Sequence, residues 1–104
     1  RPAVFPADST FSGYIARQVK WGDDEPAARI ILRYTVTPEG DTVVAQELES
    51  TDSRLKRRVL KAVAEAPRWT PARKNGTPVE SEGILHIQLP EGKLMPRQVE
   101  LVWR

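Results

Sequence analysis

Residues 67–79, P-R-W-T-P-A-R-K-N-G-T-P-V, constrain the fold more than any other part of the chain. Proline has no backbone N–H and a fixed φ, so Pro67 must close any helix that reaches it. Asn75-Gly76 suits the left-handed backbone of a tight turn. Beyond Pro78 the chain alternates, which is the pattern of a strand. Trp69, held between Pro67 and Pro71, is large enough to seal the end of a helix against a sheet. A helix therefore ends here, a turn follows and a strand begins.

The segments on either side fit that frame. Pro2 and Pro6 keep residues 1–9 an extended arm. Ser9 or Thr10 can cap a helix over about 11–20, where Phe11, Tyr14, Ile15 and Val19 make one apolar face. Residues 29–36, R-I-I-L-R-Y-T-V, alternate with Ile30, Leu32, Tyr34 and Val36 inward. T-P-E-G-D turns the chain into a second strand over 42–49. That strand is ambiguous, because Val44 and Leu48 share one face with Gln46 while Val43 and Ala45 share the other with Glu47. A bulge that switches faces would reconcile the two sets. A second helix over 53–66, capped by Asp52 or Ser53, carries the stripe Leu55, Val59, Ala62, Val63 and Ala66. A third strand follows over about 79–89, with Leu85, Ile87 and Leu89 alternating against Ile84, His86 and Gln88. P-E-G-K then turns towards a fourth strand at Gln98 to Trp103.

Strand directions limit the sheet. A hairpin makes strands one and two antiparallel, and a helix packed back across the sheet makes strand three parallel to strand two. Strand three then pairs most simply beside strand one. The fold expected is α+β: α-β-β-α-β, strand order 2-1-3, both helices on one face, with an extra C-terminal strand. The length of 104 residues suits one domain over 1–104, comprising the arm, the folded body and a C-terminal extension over 90–104.

Little in the chain points to catalysis, so no enzyme and no cofactor is expected. There is no Cys, and His86 is the one histidine, best read as a strand-surface residue. Asp23, Asp24 and Glu25 lack the ligand spacing and glycine of a calcium loop, so no metal site is expected. There is no P-loop, dinucleotide fingerprint or nucleophile elbow. Charge is uneven. Residues 1–53 carry five basic and nine acidic side chains, a net −4, whereas residues 54–74 carry eight basic against Glu65 alone, a net +7. The basic residues of 54–61 could meet phosphates, yet they fall on several sides of their helix and no aromatic platform accompanies them. A solvated helix face is the plainer reading, with no nucleic acid as partner.

The order W-x-P, basic residues, then N-G-x-P-V resembles the end of the C-terminal domain of TonB-type energy transducers, most closely divergent Bacteroidetes-like forms. The similarity covers roughly residues 4–89. It includes Phe5-Pro6, Tyr14-Ile15, I-L-R-Y-T-V, P-E-G-D, Leu55 and L-H-I-Q-L. Lys56 stands where the family often has Asp, His86 occupies a common Pro position, and residues 90–104 run past the family's usual end.

The resemblance implies a periplasmic interaction domain. An inner-membrane helix and a Pro-rich linker would precede Arg1, anchoring the full-length protein to the membrane. Its partners would be the proton-motive-force complex and the TonB-box peptide of an outer-membrane receptor, with a dimer also possible. The peptide would add as a strand to the open sheet edge and carry a pull for active transport, since edge hydrogen bonds give affinity with modest sequence demand. Glu82, Ile84, His86 and Gln88 would bind it, chiefly through their backbones. If the tail pairs with the third strand, as the L-P-E-G-K turn between two alternating runs predicts, the edge passes to Gln98, Glu100 and Val102. The alternative is a TonB-like sensor or interaction module of a membrane signalling protein of the metallopeptidase type.

Overall fold

A computed structural model describes residues 1–6 and 10–90 of the chain. Two helices, α1 (Phe11–Gln18) and α2 (Ser53–Ala64), pack on one face of an antiparallel sheet. That sheet is built from β1 (Ala28–Val36), β2 (Thr42–Ser50) and β5 (Ser81–Leu89) in the order β2-β1-β5, as the strand directions require. The short strands β3 (Ala72–Lys74) and β4 (Thr77–Val79) form a separate two-stranded sheet. The tail strand expected at Gln98 to Trp103, with Gln98, Glu100 and Val102, lies outside the described residues.

Local chemistry fixes each helix. Thr10 caps α1, its hydroxyl accepting from the Gly13 N–H at 3.1 Å. Asp52 caps α2, its carboxylate accepting from the Arg54 N–H at 2.8 Å. Helix α2 stops at Ala64, before Pro67, because the residue preceding a proline avoids helical backbone. Phe11, Ile15 and Val19 meet Leu55, Val59, Ala62 and Val63 across Ile30, Leu32, Leu85 and Ile87 in one core. Full burial of an aliphatic side chain of this size contributes about 1.5–3 kcal/mol.

Three details differ from the sequence expectation. The run over 79–89 is not one strand: Asn75 (φ 54°) and Gly76 (φ 80°) both adopt left-handed backbone and close the β3–β4 hairpin, and β5 starts afresh at Ser81 in the other sheet. Strand β2 resolves its facial conflict with two register shifts against β1, opposite Ile31/Leu32 and Arg33/Tyr34, where a single bulge was expected. Trp69 has partners that the expected seal on the second helix does not name. It sits among Phe5, Phe11 and Tyr34 with ring centroids 5.2–6.0 Å apart, and it is latched to the β1–β2 turn. Its backbone N–H donates to the Gly40 carbonyl at 2.9 Å and its indole N–H to the Thr42 hydroxyl at 3.0 Å.

The extended arm is held by the same junction. Val4 and Thr70 exchange two backbone bonds of 2.9 Å, and the Arg73 N–H donates to the Arg1 carbonyl at 2.9 Å. Phe5 then lies against Phe11, Tyr14 and Trp69 at 5.2–5.4 Å.

Candidate functional site along strand β5

Strand β5 pairs with β1 over nine residues, Ala28 opposite Leu89 to Val36 opposite Ser81, without a register shift. Backbone polar groups of an antiparallel strand alternate sides. At one end of β1 the Arg29 carbonyl accepts from Thr51 N–H and its N–H donates to the Thr51 hydroxyl. At the other end the Thr37 N–H donates to the Asp41 carbonyl. The odd-numbered residues of β1 therefore face β2, and Ala28, Ile30, Leu32 and Tyr34 face β5. Their partners Leu89, Ile87, Leu85 and Gly83 use their backbone groups on β1. Glu82, Ile84, His86 and Gln88 consequently direct theirs away from the sheet, along an edge that has no strand beside it among the described residues.

The side chains of these four residues stand on the sheet face opposite the helices. Glu82, Ile84 and His86 are exposed, Ile84 at 56%, and Gln88 is half-buried. His86 lies across from Ile31. Leu85, Ile87 and Leu89 point the other way, into the core. The four residues named from the sequence thus share one edge and one face.

The helix-side flank of this edge was not legible in the sequence. Beside Leu85 a groove of about 520 Å³ is walled by Phe5, Phe11, Tyr34, Trp69 and Ser12. It continues past Ile87 as a second groove of about 430 Å³ lined by Ser12, Gly13, Ala16, His86 and Gln88. The spacing on α1 identifies Phe11 as inward-facing, but not which strand α1 lies beside. Tyr34 lies over Gly83, its cross-strand partner, where a Cβ would strike the phenol ring. Burial pushes the Tyr34 phenol above its ordinary range.

The basic stretch takes a different role. Arg58 donates to both Glu25 carboxylate oxygens at 2.9 and 3.0 Å and to the Lys20 carbonyl at 2.7 Å. Its guanidinium lies 4.9 Å from the Trp21 ring, and that of Arg54 lies 5.7 Å away. Trp21 in turn donates to the Pro26 carbonyl. Arg54 also pairs with Asp52 at 2.9 Å, Lys56 with Glu47 and Arg68 with Asp41. The Arg58 hydrogen bond, with help from the Gly22 N–H, holds the Glu25 carboxyl below its usual range. Much of the positive charge read from the sequence is therefore engaged internally, with Glu25, Asp52, Glu47 and Asp41 as its counter-ions. Among the described residues no group of three His, Cys, Asp or Glu could hold a metal ion, and no helix is long and apolar enough to cross a membrane.

Residues 26–88 match the family model described as Gram-negative bacterial TonB protein C-terminal, which is more than half of the chain. No curated protein matches it.

Proposed function

Because the chain belongs to the family of Gram-negative bacterial TonB C-terminal domains, which are periplasmic interaction domains, we propose that it binds the TonB-box peptide of an outer-membrane receptor by strand addition to β5. In that role the full-length protein is anchored in the inner membrane, and the added strand passes a pull derived from proton-motive force to the receptor for active transport. The reading is of a binding domain and not of an enzyme.

One observation carries it. Nine unshifted pairs hold β5 straight against β1, so the outward backbone groups of Glu82, Ile84, His86 and Gln88 form a regular row. A straight row of unpaired N–H and C=O groups is a template for another strand. Titration of the isotope-labelled chain with TonB-box peptides from receptors of the same organism tests this. The amide signals of Glu82, Ile84, His86 and Gln88 should shift together. Shifts confined to other elements would count against it.

A further inference from the structure

Strand addition through backbone bonds alone would accept almost any extended peptide. The flanks of β5 supply what would narrow that choice. A residue of the added strand places its side chain on the same face as the β5 residue beside it. Positions level with Gly83, Leu85 and Ile87 face the helix side, and positions level with Glu82, Ile84 and His86 face the outer side.

The two sides differ chemically. On the helix side, the groove at Leu85 has aromatic walls and, among the described residues, no charged side chain. The next helix-side position, level with Ile87 and about 7 Å along the strand, meets Ser12, Gly13 and Ala16 of α1 instead. A large apolar side chain therefore finds more apolar contact at Leu85 than one step further on, which pins the register. On the outer side, Glu82 brings an exposed carboxylate to the start of β5, two residues after the exposed Glu80. Glu82 has no ion pair among the described residues.

We propose that the partner strand is read by its side chains as well as its backbone: an aromatic residue level with Leu85 enters the groove walled by Phe5 and Phe11, and a cationic residue three positions away stands beside Glu82. This rests on strand addition at β5. Its occupant is an uncharged-to-basic extended peptide of pattern cation-x-x-aromatic if the added strand runs parallel to β5, or aromatic-x-x-cation if it runs antiparallel.

Two short capped peptides of Thr and Val, one with Lys-x-x-Phe and one with Phe-x-x-Lys, test the pattern against the full chain by calorimetry and amide-shift mapping. One order should bind more tightly, which also reports strand direction. Within it, Phe replaced by Ala should weaken binding about tenfold. Lys replaced by Glu should weaken it about two- to fivefold, and Glu82→Lys should recover that loss. Ser12→Phe, which fills the groove mouth, should weaken the Phe peptide and spare its Ala counterpart. If all peptides bind alike while the amides of Glu82, Ile84, His86 and Gln88 shift, side-chain reading is overturned and edge binding stands. If no peptide shifts those amides, both fail.

Discussion

At the scale of single residues, the two left-handed glycines separate backbone demand from packing. Gly76 (φ 80°) has open space where a Cβ would stand, so Gly76→Ala should cost about 1 kcal/mol for the backbone alone. Gly40 (φ 92°) is also left-handed, but its Cβ would strike the Trp69 carbonyl oxygen. Gly40→Ala should therefore cost more than about 2 kcal/mol, because the Trp69 latch must move as well as the turn. Urea denaturation of the two variants checks the order; equal losses would show that the latch is unimportant. The Asn75-Gly76 turn could be named from its dipeptide, since the residues carry their own backbone preference. The Gly40 contact could not, because Trp69 lies far along the chain and no local pattern connects the two.

Among the elements, the helices were the most legible, because a 3.6-residue stripe specifies both a face and a cap. Thr10 and Asp52 are two of the cap candidates the sequence offers, and the buried residues of α1 and α2 all fall on the stripes it shows. Strand boundaries were less legible. Glu80 is an ordinary residue, yet it separates β4 from β5 because the chain must leave one sheet and enter another. The four edge residues could be named from alternation and strand order. The grooves beside them depend on which strand α1 lies along, which only three-dimensional packing determines. The cap of α2 also has a pH signature. Hydrogen bonds from the Arg54 guanidinium depress the Asp52 carboxyl from 3.8 to about 2. A depressed carboxylate stabilises the fold fully above its ordinary value and loses that contribution as pH falls towards the depressed one. Thermal melts should therefore show a decline between pH 3.8 and about 2 that is shallower in Asp52→Asn, with the variant less stable at neutral pH. The Glu25–Arg58 pair acts in the same direction and leaves part of the decline in place.

Taken as a whole, the molecule is tied together at the Trp69 junction, where the arm, α1, β1 and the β1–β2 turn converge. Removing residues 1–5 should lower the melting temperature and shift Trp69 emission to the red, as Phe5 leaves its ring and the Val4–Thr70 bonds are lost. Unchanged emission would mean that the arm does not shield Trp69. The two outer strands of the main sheet are also unequal. Strand β5 runs straight, whereas β2 is bent by two register shifts and carries Glu47 and Glu49. Bulges and charges discourage a neighbouring strand. Among the described residues, β5 is therefore the edge better suited to an added strand, and β2 the less suited one. In the proposed strand addition at β5, that inequality sets a valency of one: a docked strand ends the array, and identical copies offer no second edge of the same kind from which a fibre could grow.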